Sequence, residues 1–168
     1  MADEPWQVQL ILVRHGQTEW NRMERFRGRA NVPLNEAGLA QAEATGRRVA
    51  AEWRLTAVYS SPLSRAVKTA EAIARCANLA VQVEPGLADI DYGEWTGLTP
   101  EEARAKWPRQ VEYWYSHPSL ARIPGGETLA ALRRRAMATL GRLSERHAGE
   151  TIALVGHTVI NRIILLGA

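Results

Sequence analysis

Apolar residues along this chain fall into two alternating patterns. Short continuous runs sit at 8–13 (Val8, Leu10, Ile11, Leu12 and Val13), at Ala57-Val58-Tyr59, at Val81-Gln82-Val83 and at Thr151-Ile152-Ala153-Leu154-Val155. They are strand-length and rich in β-branched residues, as buried strands are. Between them, apolar residues recur every three or four positions. Leu63, Ala66, Val67, Ala70, Ile73, Ala74 and Ala77 form one such stripe, and Leu129, Leu132, Ala136, Leu140 and Leu143 another. Both are the mark of a helix with one buried face.

Boundary residues sharpen the picture. Asn35 can cap a helix from Glu36 towards Trp53, and Ser61 can cap one with Pro62 in its first turn. Thr99-Pro100-Glu101-Glu102 has the form of a capping box, and an apolar helix runs from Val159 to Leu166. Strands alternating with helices predict an α/β fold: a mostly parallel central sheet with helices on both faces. No linker or internal repeat divides the chain, so residues 1–168 read as a single domain. An insert at about 98–125, carrying Trp107, Tyr113, Trp114 and Tyr115, is placed over the sheet's ligand-binding edge. Its aromatics are expected chiefly to pack it onto the body, with some lining a pocket.

Three strand ends then carry the same kind of chemistry. The first strand runs into Arg14-His15-Gly16, the second into Ser60-Ser61-Pro62-Leu63-Ser64-Arg65, and the last into Gly156-His157-Thr158. In a parallel sheet these ends share the edge at which α/β proteins bind ligands. Arginine is a permanent cation shaped for phosphate, and histidine serves as nucleophile or proton carrier near neutrality. Arg65 falls in a helix first turn, where the dipole favours anions. Glycine at 16 would let the backbone turn closely around a ligand. Two arginines and two histidines converging on one edge describe a pocket for a phosphate group. Any one motif alone could be an ordinary surface pair.

Composition narrows the classes. The 168 residues, with 46% hydrophobic and 23% charged, suit one globular domain, and the formal charge of +3 is mild. The run Arg133-Arg134-Arg135 could be a nucleic-acid patch, but its helix places the arginines largely on the solvated face and no aromatic-rich binding module accompanies it. No nucleic-acid partner is expected. Cys76 is the only cysteine, which excludes an intrachain disulfide and a cysteine metal site. The start, Met1 to Trp6, lacks the basic-then-apolar form of a signal peptide, and no run reaches membrane-span length. A cytoplasmic location without a membrane partner is the expectation. His15, His157 and Asp89 could form a three-ligand metal site; two neighbouring arginines would repel the cation, so no metal and no cofactor are expected. His147, near a helix C-terminus, reads as a surface residue compatible with the dipole.

Taken in order, Arg14-His15-Gly16, Ser60 to Arg65, Asp89 to Gly97, Gly125-Gly126-Glu127 and Gly156-His157-Thr158 resemble the histidine phosphatase superfamily, the phosphoglycerate mutase-like family. The resemblance covers nearly the whole chain from Leu10. It implies a phosphoglycerate mutase-like fold and a small phosphorylated substrate. It implies His15 as a nucleophile that forms phosphohistidine, with Arg14, Arg65, His157 and Asn21 holding the phosphoryl oxygens. Backbone N–H groups near Gly28 and Thr158 are further candidate donors. The family's acid is a glutamate four residues before a glycine; here Asp89 stands there, one methylene shorter, with Asp91 and Glu94 as rival carboxylates.

The reading is a phosphomonoester hydrolase. The alternatives are a phosphoglycerate mutase and, from another class, a phospho-ligand binding or regulatory protein without catalysis. Shortness favours hydrolysis. Family members usually continue with another strand beyond the equivalent of Ala168, so a shortened C-terminus is an expectation. It would leave a sheet edge open for pairing between chains as a homodimer.

Overall fold

The computed structural model describes residues 7–167. The start at 1–6, on which the expectation of no leader rests, and Ala168, on which that of a shortened end rests, lie outside the described residues. Four strands, β1 (Gln9–Arg14), β2 (Ala57–Ser60), β3 (Val81–Val83) and β4 (Thr151–Gly156), form one parallel sheet in the order β1-β4-β2-β3. Register runs Gln9 beside Thr151 to Arg14 beside Gly156, and Ala57 beside Ile152 to Ser60 beside Val155. Among the described residues seven α-helices connect and follow the strands: α1 (Glu19–Arg22), α2 (Glu36–Glu52), α3 (Ser64–Ala77), α4 (Pro100–Lys106), α5 (Pro108–Ser116), α6 (Leu129–Arg146) and α7 (Thr158–Gly167).

The period of two along each strand divides the core. Val13, Val58, Ala153 and Val155 face α2 and α3, where Val49, Ala66, Ala70, Ile73 and Ala74 meet them. Ala57, Tyr59, Ile152 and Leu154 face α6 and α7, against Leu132, Ala136, Leu140, Leu143, Ile160 and Ile164. Burying a side chain such as Ile152 or Leu154 contributes roughly 1.5–3 kcal/mol. A slip of one residue would turn every one of them to the wrong layer, so register is strongly specified. Helices thus cover both faces, as the alternating pattern predicts.

The caps explain most helix starts. Asn35 Oδ1 accepts from the Gly38 N–H at 2.8 Å, and Thr128 Oγ1 accepts from Ala131 at 3.2 Å. Thr99 and Glu102 close the capping box of α4. The expected cap at Ser61 is corrected. Helix α3 begins at Ser64, and Leu63 in the cap position makes no side-chain cap bond. Asn31, from the loop before α2, accepts from the Ser64 N–H at 2.9 Å instead. A side chain from elsewhere in the fold satisfies the helix end, which frees Ser61 for another bond.

The insert after Gly97 forms α4, α5 and a 3-10 turn at Pro118–Leu120. Val111 and Ala103 are buried in the core, Trp107 and Trp114 pack against it, and Tyr113 is exposed. His147 is a second correction: it is buried, with its ring 2.9 Å from the Tyr59 hydroxyl and 2.6 Å from Glu150. The turn after α6 folds this side chain back over β2, while its neighbours Glu145, Arg146, Ala148 and Gly149 stay exposed. No helix among the described residues is long and apolar enough to cross a membrane.

Candidate functional site

Parallel pairing of β1, β4 and β2 brings three chain segments to one edge. His15 follows the last residue of β1 and is nearly fully buried. Its Nδ1 lies 2.6 Å from the Gly16 carbonyl oxygen. That oxygen can only accept, so Nδ1 carries the proton and Nε2 keeps a free lone pair. Burial pushes the imidazole down to about 3; the bond to the Gly16 carbonyl is the next largest effect and opposes it, and the Arg65, Arg14 and Arg27 cations each lower it further. His15 is therefore neutral at any ordinary pH.

Gly16 owes its place to a different contact from the one expected. A Cβ there would sit 2.3 Å from the Gly38 carbonyl oxygen, and one on Gly38 would sit 2.0 Å from that of Gln17. The two glycines let the loop after β1 pack directly on the first turn of α2. The Gly16 N–H then donates to Thr69 Oγ1 at 3.2 Å, and that hydroxyl donates to the Arg65 carbonyl at 2.9 Å. The loop bearing His15 is tied to the helix bearing Arg65.

Arg65 is fully buried at the second position of α3. Its Nη1 donates to the Ala30 carbonyl at 2.7 Å and its Nη2 to the Gly28 carbonyl at 2.7 Å. Burial lowers it to about 10 despite the Asp89 carboxylate, so it stays a cation at neutrality. Gly28 is itself buried, at φ +49, and a Cβ there would meet the Ile90 carbonyl at 2.9 Å. The Gly28 carbonyl thus holds Arg65 from behind.

His157, also fully buried, begins the turn from β4 into α7. Its Nε2 lies 2.7 Å from Ser61 Oγ, which already accepts from the Leu63 N–H at 3.3 Å. A Ser61 hydroxyl that donates to Nε2 leaves the His157 proton on Nδ1. Burial first, then Arg65, His15, Arg27 and Arg135, hold this ring well below the usual histidine range. Its Nδ1 stands 3.8 Å from Asp89 Oδ2, beyond hydrogen-bond length.

Asp89 follows β3 through a 3-10 turn at Pro85–Leu87. It is 4% exposed, its Oδ1 accepts from the Ile90 N–H at 2.9 Å, and its Oδ2 lies 3.6 Å from Arg65 Nη2. Burial raises the carboxyl to about 6, opposed by Arg65, the Ile90 N–H, Arg27 and Arg135. The rival carboxylates are elsewhere: Asp91 Oδ1 accepts from the Gly93 N–H at 2.9 Å, and Glu94 is exposed.

Asp89 lies on the wall of a cavity of about 600 Å³, together with Arg14, Asn21, Arg27, Tyr92, Trp114, Tyr115 and Thr158. A recess of about 150 Å³ reaches His15 and Gly16, with Arg14 and Asn21 on its walls too. Asn21 Oδ1 is occupied by the Thr18 N–H and hydroxyl, at 2.9 and 2.8 Å, which leaves Nδ2 for a ligand. Pro100, Trp114 and Tyr115 are the part of the insert that lines the cavity.

Arg27, Arg135 and Ser61 are the residues that sequence reasoning missed. Arg27 is half-buried on the cavity wall, and burial lowers its pKa more than Asp89 raises it. Arg135 departs from the expected solvated face and grips the segment carrying Asp89. Five buried side-chain nitrogen or oxygen atoms of the described residues lack a hydrogen-bond partner. Four of them are Arg27 Nε, Arg65 Nε, His157 Nδ1 and Thr158 Oγ1. Buried polar atoms are nearly always paired; Arg27 and Thr158 line the cavity, and Arg65 and His157 stand 3.6 and 3.8 Å from Asp89 on its wall, so these four unpaired atoms point to an oxygen-rich, negatively charged ligand. Among the described residues no group of three or more His, Cys, Asp or Glu is arranged to hold a metal.

The sequence profile of the histidine phosphatase superfamily (branch 1) matches residues 10–168. Phosphoserine phosphatase 1 of Hydrogenobacter thermophilus is 38% identical over 152 residues, which cover 90% of this chain and 72% of that protein. A metal-independent phosphoserine phosphatase of Arabidopsis thaliana is 38% identical over 161 residues, covering 95% of this chain and 68% of its own. Among solved structures, Bacillus stearothermophilus YhfR superposes with a TM-score of 0.89 at 32% identity, over 94% of this chain and 78% of that one.

Proposed function

The chain belongs to the histidine phosphatase superfamily, and we propose that His15, Arg14, Arg65, His157 and Asp89 carry its phosphatase reaction on a small phosphorylated metabolite. The observation that supports this reading is the set of unpaired buried polar atoms on Arg27 and Thr158, which line the cavity, and on Arg65 and His157, which flank the Asp89 carboxyl on its wall.

A phosphate monoester carries close to two negative charges at pH 7. A neutral imidazole approaches it without repulsion. The lone pair of His15 Nε2 forms the N–P bond while the P–O bond to the leaving group breaks. Arg14, Arg65 and the Nδ1–H of His157 hold the non-bridging oxygens as charge shifts, with Arg27, Asn21 Nδ2 and the Thr158 hydroxyl as further donors. The departing oxygen takes its proton from Asp89. Water then attacks the phosphohistidine, gives a proton to Asp89 and releases inorganic phosphate, which restores His15. One carboxyl serves both halves, and a pKa near 6 suits a group that must give and regain a proton near neutrality.

The test is release of inorganic phosphate from p-nitrophenyl phosphate and from phosphoserine in excess EDTA, with vanadate as a competing oxyanion. Hydrolysis that survives chelation, and acid-labile phosphate trapped on His15, are expected. Phosphate passed to an acceptor without release to water would reassign the chain to transfer. Binding without turnover would leave a phosphate-binding protein.

A further inference from the structure

We propose that Arg135, held by Glu127, is the positioning residue of the acid: it places the Asp89 carboxyl by gripping the backbone that bears it. This rests on the reading of Asp89 as the proton donor.

A guanidinium has five N–H donors, and on Arg135 every one is used. Nη1 donates to the Gly86 and Ala88 carbonyls at 2.9 and 2.8 Å. Nη2 donates to the Asp89 carbonyl and to Glu127 Oε2, both at 2.9 Å, and Nε donates to Glu127 Oε1 at 2.8 Å. Three carbonyls of one four-residue segment thus turn onto one cation. Such a bend has no strand or helix partner to satisfy it, and without the guanidinium those carbonyls would be partly buried and unpaired.

Glu127 completes the grip on the far side of Asp89. Its own N–H donates to the Asp91 carbonyl at 2.8 Å, and its carboxylate accepts from the Asp91 N–H at 3.4 Å. Gly126 permits the approach, since a Cβ there would stand 2.6 Å from the Asp91 carbonyl. Backbone groups before, at and after Asp89 are therefore held by two residues that themselves line neither the cavity nor the recess.

The short side chain makes this hold consequential. Aspartate has only one methylene between backbone and carboxyl, so its carboxyl follows the backbone closely. A shift of ~1 Å in the segment becomes a shift of similar size at the acid, a displacement that can cost up to about a hundredfold in rate. A glutamate could absorb part of that shift through its extra rotatable bond.

The experiment compares Arg135→Lys and Glu127→Gln with the parent on an alkyl phosphate and on p-nitrophenyl phosphate. Lysine keeps the charge but cannot reproduce the planar fork. Loss of position at the acid should lower kcat/KM for the alkyl ester roughly tenfold or more and shift the ratio between the two substrates by a similar factor, because the phenolate departs with little help. In an Asp89→Asn background, Arg135→Lys should leave that ratio where Asp89→Asn put it. Glu127→Gln should act in the same direction more weakly, and it serves if the lysine variant does not fold. Equal loss on both substrates, or a loss that follows the fall in Tm with the ratio unmoved, would overturn the proposal. A parent chain that turns over neither substrate would overturn the phosphatase reading itself, a different result from an active parent whose variants show no split.

Discussion

Asp89 Oδ2 stands 3.6 Å from Arg65 Nη2, both side chains almost wholly buried, with no good hydrogen bond between them. The spacing keeps the pair from collapsing into a closed salt bridge. Arg65 spends its two direct bonds on the Gly28 and Ala30 carbonyls. Asp89 spends one oxygen on the Ile90 N–H and keeps the other towards Arg65 and His157. Burial wins over the Arg65 charge, and the carboxyl ends near 6.

The pH dependence follows from that balance. A carboxyl raised to about 6 is protonated below that pH and able to serve as acid, and it loses this ability as pH rises through 6. His15, lowered to about 3, stays neutral throughout. The substrate's own second ionisation, near pH 6, supplies a rising limb. An alkyl phosphate should therefore give a bell-shaped kcat/KM profile centred near pH 6. Asp89→Asn should lose the falling limb and keep the rising one; a falling limb that survives the substitution assigns it to another group.

Leaving-group basicity separates the carboxylates. Asp89→Asn should cost most on alkyl phosphates and much less on p-nitrophenyl phosphate, since acid catalysis matters in proportion to the basicity of the departing oxygen. Glu94→Gln, exposed and off the cavity wall, is the control. Unchanged alkyl phosphate turnover in Asp89→Asn, together with loss in Glu94→Gln, would move the acid to Glu94.

The arginines should show graded effects. Arg14→Gln removes an exposed cation and should lower kcat about a hundredfold, ~3 kcal/mol of transition-state stabilisation. Arg27→Gln should act in the same direction on p-nitrophenyl phosphate, because its Nε is one of the unpaired buried donors. Steady-state kinetics of the two variants, each within threefold of the parent, would remove them from the phosphate site.

Arg65→Met should cost stability as well as activity. It strands a buried carboxylate and two carbonyls, and breaking such a pair typically costs about 3–5 kcal/mol. The loss should be larger at pH 7.5, where Asp89 is ionised, than at pH 4.5, where it is mostly protonated. Denaturant melts at the two pH values give the comparison; equal losses would mean that the Asp89 charge is not felt at Arg65.

Ser61→Ala tests the tautomer of His157. Without the Ser61 hydroxyl, no donor holds Nε2, and the proton can settle there instead of on Nδ1. Activity should fall about tenfold or more through loss of one phosphoryl donor. Nitrogen chemical shifts of the His157 ring should report the change of tautomer. A variant that keeps the Nδ1–H form and parental activity would detach Ser61 from the site.

Much of this was legible in the chain because it is local. The capping box at Thr99 and the Asn35 cap concern residues three positions apart, and the strand runs declare themselves by composition. The junctions holding Arg14, His15, Arg65 and His157 were readable because parallel strands put their C-terminal ends together whatever their order. Ser61 was misread for the opposite reason. A serine before a proline is locally a good cap, and only the fold shows Asn31 taking that task and His157 claiming the hydroxyl.

By itself, the sequence determined the alternation of strand and helix, the period that buries one face of each helix, and the edge at which Arg14, His15, Arg65 and His157 gather. These follow from hydrophobic spacing and backbone chemistry within a few residues. Only the tertiary structure decided which polar groups meet across tens of residues: Arg65 on Gly28 and Ala30, Ser61 on His157, and Arg135 on the backbone of Asp89. Arg135 shows why. Its neighbours Arg133 and Arg134 are exposed, and it is one step along the same helix. That step points it at three carbonyls 46 to 49 residues away in the chain. Helical periodicity gives a side chain's direction, but whether solvent or a bent backbone lies in that direction is settled by packing.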